Sequence, residues 1–167
     1  MSYNDHPEAY LAASPGITIA HPRSFMLYDL EALRQKYDPN HTGSYDPTDQ
    51  YSWDVDEPFV QTLFDTNGTD TIDATNQTER AIIDLRQGEF SSIGKFVDHP
   101  AVDNLAIAFG TVIEDAKGGA GNDVIIGNVE NNNLEGGAGD DWLMGDGSVF
   151  GEARADTTNA LRMHLLA

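Results

Sequence analysis

Residues 118 to 144 fall into three nine-residue units: Gly-Gly-Ala-Gly-Asn-Asp-Val-Ile-Ile, Gly-Asn-Val-Glu-Asn-Asn-Asn-Leu-Glu and Gly-Gly-Ala-Gly-Asp-Asp-Trp-Leu-Met. A repeat this short restricts the fold severely, because it leaves room for only a short strand and a tight turn in each unit. Glycines at the first, second and fourth positions let the backbone turn sharply and aim its carbonyls inward. Asp123 and Asp141 close two of the turns with carboxylates. Ile125, Leu134 and Leu143 recur every nine positions, as a buried stack of short strands requires. A flexible Gly/Asn linker has no reason to hold apolar residues at that interval.

Two units make one coil of such a winding, so residues eighteen apart lie above one another. Asp123 and Asp141 have that spacing. An ion between their turns would meet these two carboxylates and the carbonyls of Gly119, Gly121, Gly136 and Ala138. An all-oxygen set of this kind suits calcium and not zinc. On the opposite edge Glu114 precedes Asn132 by eighteen residues, so one carboxylate is expected to face one amide, with carbonyls from Gly110, Val112, Gly127 and Val129. A weaker site is expected there. The following turn, 145–150, has no acid at its sixth position, and its apolar slot holds Glu152, so the winding is expected to stop.

Charge points the same way. The 167 residues include 28 acidic and 9 basic side chains, a formal charge of −19. That excludes nucleic acid as a partner, since phosphate binding needs a basic face. Self-repulsion of this size opposes the compact state, which should therefore gain from bound cations. There is no cysteine, so calcium would be the staple in place of disulfides. At a dissociation constant of roughly 10⁻⁴ M, millimolar extracellular calcium contributes about 1.4 kcal/mol per site. No apolar run approaches the ~20 residues a spanning helix needs, so membrane insertion is not expected. No signal peptide is legible, so export would need another route.

Upstream, Ser24 is a candidate N-cap for a helix over 25–37 whose apolar face is Met26, Leu30, Leu33 and Tyr37, closed by Asp38-Pro39. Strand-like runs follow at 59–64, 69–72, 81–85, 90–96 and 105–108, separated mostly by Gly, Asn and Asp. The expected fold is mostly β: a short parallel β-roll flanked by a β-sandwich-like region, with one N-terminal helix. The glycosylation sequons at Asn40, Asn67 and Asn76 are expected to be incidental.

Met1-Ser2-Tyr3, the helix segment Met26-Leu27-Tyr28-Asp29-Leu30-Glu31-Ala32-Leu33, the loop Phe64-Asp65-Thr66-Asn67-Gly68-Thr69-Asp70-Thr71-Ile72-Asp73 and the stretch Gly110-Thr111-Val112-Ile113-Glu114-Asp115-Ala116 precede the repeats in that order. Together with the repeats they resemble the serralysin-type secreted zinc metalloproteases of the metzincin group, from the Met-turn to the calcium roll. The resemblance implies residues 1–38 as the end of a catalytic domain, 39–155 as a C-terminal β domain with its roll at about 109–150, and 156–167 as a short tail. It implies an ion held by Asp65, the Asn67 carbonyl (glycine in the family) and Asp70, with a loop around Asp46 to Asp49 closing the site. It implies a second ion among Gly68, Asp70, Val112 and Glu114, and an extracellular, bacterial setting.

Two departures from the family bear on function. Metzincin chemistry needs H-E-x-x-H-x-x-G-x-x-H, three imidazoles for zinc and a glutamate base. The histidines here, at 6, 21, 41, 99 and 164, include no pair four apart. No catalytic residue and no zinc are therefore expected in this chain; Met1 and Tyr3 match the Met-turn alone. The stretch 157–167 does not resemble the family's export signal. The expected function is a calcium-binding module without its own peptidase activity. The alternatives are a metalloendopeptidase fragment completed by a separate N-terminal half, and a self-associating protein that buries the helix face in a homodimer.

Overall fold

The computed structural model describes residues 22–37, 48–55, 57–96 and 99–145. Met1, Tyr3, the loop at 46–47, the turn beyond Gly145 and the tail lie outside them. The described residues form one helix, α1 (Leu27–Tyr37), and twelve strands of two or three residues, so the chain is mostly β, as its repeats imply.

Four strands carry the nine-residue cadence: β9 (Asp115–Lys117), β10 (Val124–Ile126), β11 (Asn133–Glu135) and β12 (Trp142–Met144). They alternate between two sheets. β11 pairs in parallel with β9, placing Leu134 on Ala116, and β12 pairs in parallel with β10, placing Leu143 on Ile125. Strands eighteen residues apart are thus neighbours, and each intervening glycine-rich turn carries the chain to the other sheet.

The same sheets extend further back than the repeats. β3 (Thr71–Asp73) pairs with β9, and β4 (Ile82–Asp84) pairs with β10, both in parallel. β1 (Gln50–Tyr51) adds to the edge of β3. The segments at 69–72 and 81–85, expected in a flanking sandwich, therefore lie beneath the repeats as an earlier coil. Their turn carries no nonapeptide signature because it is eight residues long instead of six. Ile72, Ile83, Ala116 and Ile125 are fully buried between the two sheets, while Leu134 and Leu143, at the end of the described stack, are only partly so.

Between this earlier coil and the repeats, residues 85–114 form a side layer. β2 (Gln61–Leu63) pairs in parallel with β8 (Leu105–Ile107), and β5 (Phe90–Ser91) pairs antiparallel to β8. The run expected as one strand over 90–96 is broken at Gly94, whose φ of 79° a strand residue does not adopt. β6 (Lys95–Phe96) then pairs with β7 (His99–Pro100). Leu63, Leu105, Ile107 and Ile113 join this layer to the apolar stack, with Trp53 stacked on Phe59 at 4.6 Å.

The helix starts later than its periodicity suggests. Ser24 is not its cap: its hydroxyl accepts the Thr62 N–H at 2.7 Å and donates to the Thr62 carbonyl at 3.1 Å, so it ties the chain to β2. Leu27 and Leu30 pack on Ala106, Ala108, Phe90 and Phe109, while Met26 packs on Val60, Phe96 and Ala101. Arg34 donates to the Phe109 carbonyl at 2.6 Å. Leu27 and Leu30 of the helix are thus covered by the chain's own β layer, whereas Tyr28 is exposed.

Two buried asparagines bind the layers together. Asn104 donates to the Phe59 and Ile93 carbonyls and accepts the Ile93 N–H. Asn128 donates to the Leu85 and Ile113 carbonyls. Backbone groups buried off the sheet ladders need such partners.

Candidate metal centre

Turn 118–123 sits between turn 74–81 and turn 136–141. Asp123 is buried. Its Oδ2 accepts the Gly119 N–H and its Oδ1 the Ala81 N–H, each at 2.7 Å, so one carboxylate closes its own turn and grips the turn below. Asp141 Oδ1 accepts the Asp123 N–H at 2.9 Å, repeating the link upward. Burial raises the pKa of Asp123, the two N–H bonds oppose that, and the Asp141 charge adds to it.

The glycines are required by close approach. A Cβ on Gly137, whose φ is 91°, would stand 2.2 Å from the Gly119 carbonyl oxygen. A Cβ on Gly139 would meet the Gly121 oxygen at 2.3 Å, and one on Gly118 the Gly136 oxygen at 2.2 Å. The carbonyls of Gly119, Gly121 and Gly136 therefore reach into the adjoining turn, beside Asp123 and Asp141. Ala138 is placed by its N–H, which donates to the Gly119 carbonyl at 2.9 Å.

The opposite edge differs from expectation. Asn132 accepts the Asn128 N–H and donates to the main-chain carbonyl of Glu114 at 2.9 Å. The Glu114 carboxylate does not face that amide; it turns the other way and accepts the Asp70 N–H at 2.8 Å. An amide can serve the carbonyl, whereas the carboxylate needs a donor, which the backbone of the 65–70 loop supplies. Gly127 packs against Asn132 and the Gly145 carbonyl. Val129 is solvent-exposed, and Gly110 is held by Gln87 and crowded by Arg34, so neither is drawn toward Glu114 by a hydrogen bond in the structure.

Glu114 instead joins an acidic group built on the loop between β2 and β3. Asp65 Oδ1 accepts the Asn67 N–H at 3.1 Å, and its Oδ2 accepts the Tyr51 hydroxyl at 2.7 Å. Asp70 Oδ1 accepts the Asp49 N–H at 2.8 Å. Gly68, with φ of 121°, makes the turn between them. Asp70 is 1% exposed, and its Oδ2 is buried without a hydrogen-bond partner. Burial pushes its pKa up to about 6, helped by the charges of Asp65, Glu114 and Asp49 against the pull of the Asp49 amide. Burial and the bond to Asp65 hold the Tyr51 hydroxyl far above its ordinary range, so it remains a donor.

Asp49 belongs to the loop at 46–49 that the resemblance implied, whereas Tyr51 escapes sequence reasoning, because β1 is two residues long and lies in a turn-rich stretch without periodicity. The one available signal, an acid two residues before a tyrosine, is too common to weigh.

A buried carboxylate oxygen without a partner, in a setting that penalises negative charge, is a poor arrangement for a protein alone and a good one for a cation. The surrounding donors are carboxylate, carbonyl and hydroxyl oxygens, which suit a hard divalent ion such as calcium. Among the described residues no three Asp, Glu, His or Cys side chains converge into a set that could hold a metal unaided. Carbonyls would have to complete any shell, as they do in calcium sites.

Short parallel strands, stacked through glycine-rich turns closed by acids, define a mostly β domain with an oxygen-lined edge. Residues 43–161 match the family model described as Peptidase M10 serralysin C terminal, and the chain belongs to that family. It is similar to a serralysin of Photorhabdus laumondii, 37% identical over 121 residues, covering 66% of this chain and 24% of the relative. It is also similar to the metallopeptidase AprA of Pseudomonas marginalis, 32% identical over 139 residues, 77% of this chain and 28% of the relative. A serralysin of Proteus mirabilis is 33% identical over 120 residues, 65% and 23%. The chain thus spans about a quarter of the length of the curated relatives it matches.

Proposed function

We propose that this chain is a calcium-binding β-roll module, the C-terminal domain of a serralysin-type metalloprotease, in which bound ions hold successive turns together. The observation that carries this is the buried, unpartnered Oδ2 of Asp70 among Asp49, Asp65 and Glu114. Asp65, Asp70, Glu114 and the carbonyls of Asn67, Gly68 and Val112 would hold ions beside the first coil. Asp123 and Asp141, with the carbonyls of Gly119, Gly121, Gly136 and Ala138, would hold one between the repeat turns. Asn132 and the carbonyls of Gly110, Gly127 and Val129 form the weaker edge. Calcium would supply positive charge beside these carboxylates; the chain's own residues supply the turns, the hydrogen bonds that orient each carboxylate, and the apolar stack.

The domain division at about residue 39, with the roll from about 109, belongs to the same proposal, with the amendment that the winding takes in β3 and β4. Peptide hydrolysis belongs to a part of the protein that carries zinc ligands, since this sequence has no H-E-x-x-H motif. The names of the relatives favour a metallopeptidase as the whole, and the family resemblance favours an extracellular setting for it.

Calcium titration from chelator upward, followed by far-UV circular dichroism and calorimetry, tests the proposal. A cooperative gain of β signal between roughly 10⁻⁵ and 10⁻³ M calcium is expected for extracellular sites, and Asp70→Asn should weaken it. An unchanged spectrum together with no heat of binding would overturn it.

A further inference from the structure

The acidic loop contains a second reactive feature. Asn67-Gly68 is the only Asn-Gly dipeptide in the chain. Both residues are exposed, and Gly68 has no Cβ and a φ of 121°. An asparagine side chain followed by an unhindered peptide nitrogen can cyclise on its own backbone, because the nitrogen of the next residue reaches the amide carbon in a five-membered ring. Glycine removes the steric barrier to that closure and supplies the backbone freedom it requires.

We propose that Asn67-Gly68 is a site of spontaneous deamidation, which installs a further carboxylate between Asp65 and Asp70. The Gly68 nitrogen gives up its proton to solvent and bonds to Asn67 Cγ. The Cγ–Nδ2 bond then breaks, and ammonia leaves. Water opens the resulting succinimide at one of its two carbonyls, giving aspartate or isoaspartate and returning the proton to nitrogen. No oxidant or reductant takes part, and the only co-reactant is water.

The other asparagines provide the contrast. Asn104 and Asn128 are buried with their amides committed to carbonyls. Asn76 and Asn132 donate to the Trp53 and Glu114 carbonyls. Asn122, Asn131 and Asn133 are exposed but precede Asp123, Asn132 and Leu134, whose side chains hinder the attacking nitrogen. Asn67 is exposed and is followed by glycine; its amide nitrogen lies on the Thr66 hydroxyl at 3.2 Å and its own N–H on Asp65.

The consequence for charge follows from the neighbours. Aspartate at 67 adds a negative group beside Asp65 and close in sequence to Asp70, in a loop that already holds the carboxylates of Asp65, Asp70 and Glu114. Without calcium the new acid adds to that repulsion; with calcium it adds attraction. This second step rests on the calcium reading above, whereas the chemical conversion does not.

The full chain would be held in chelator at mildly alkaline pH and sampled over time by intact mass and by peptide mapping with isoaspartate detection. The mass gain of amide-to-acid exchange should accumulate several-fold faster on the Asn67 peptide than on those holding Asn76, Asn122 or Asn131, and should disappear in Asn67→Gln. No gain at Asn67, or equal gain elsewhere, overturns the site. Asn67→Asp should then shift the calcium titration midpoint to lower calcium than Asn67→Gln; an unchanged midpoint overturns the charge consequence. If the wild-type chain binds no calcium, the calcium reading fails while the mass data still decide the modification.

Discussion

Asp123 separates two roles that a repeat-position carboxylate can play. Its oxygens accept two buried N–H groups, from Ala81 and Gly119, both at 2.7 Å. Asp123→Ala leaves both donors unsatisfied, at about 1–3 kcal/mol each, or roughly 2–6 kcal/mol in all. Relief of a buried charge, whose pKa is already raised, moves the total toward the lower half of that range. Asp123→Asn keeps one acceptor and sets its NH₂ against the other donor, so about half the loss is expected. Urea unfolding in excess chelator, with sulfate held constant to favour the folded baseline, would be followed by the fluorescence of the buried Trp53. Wild type should exceed Asn, and Asn should exceed Ala, with the order preserved in calcium. A loss under about 0.5 kcal/mol for Asp123→Ala in chelator, with a large loss only in calcium, would refute the turn-closing role and leave the side chain a ligand alone.

Other positions give independent tests. The raised pKa of Asp70 means the folded, metal-free chain holds a proton that the unfolded chain releases; this contribution is complete below about pH 3.8 and is lost as pH rises through about 6, some 3 kcal/mol in all. Asp70→Asn should therefore be more stable than wild type at pH 7 in chelator, equal to it near pH 4, and less stable in calcium; equal stability at pH 7 in chelator would contradict the burial argument. Gly137→Ala should cost at least about 2 kcal/mol, from a positive φ and a Cβ driven onto the Gly119 carbonyl, whereas Gly145→Ala, with open space around it, should be near neutral by thermal unfolding. Asn104→Asp would set a carboxylate against the Phe59 and Ile93 carbonyls and should cost about 3 kcal/mol or more, measured by denaturant unfolding. Trp142→Gln, on a residue 61% exposed, should change stability by less than about 0.5 kcal/mol in the same assay.

What could be read from the sequence is what recurs locally. A nine-residue period fixes strand length, turn chemistry and the inward row of Ile125, Leu134 and Leu143, because each unit solves the same backbone problem as the next. The excess of acids and the absence of the zinc motif are also visible without coordinates. Helix periodicity placed α1 to within two residues but missed Leu27, its most buried side chain, since which helical face packs depends on the partner surface.

Tertiary structure decided what depends on segments far apart in the chain. Asp49 and Asp70 are 21 residues apart, Asp70 and Glu114 are 44 apart, and Ala81 and Asp123 are 42 apart, with no period linking any pair. The extension of the sheets through β3 and β4 depends on a turn two residues longer than the repeat, which conceals the coil from a search at nine. The partner of the Glu114 carboxylate is the Asp70 N–H, 44 residues away, while Asn132 takes the Glu114 main-chain carbonyl, a division that only assembled neighbours show. Backbone groups displaced from the ladders must find partners wherever the fold places them, and that requirement, not local spacing, brought Asn104 and Asn128 to their positions.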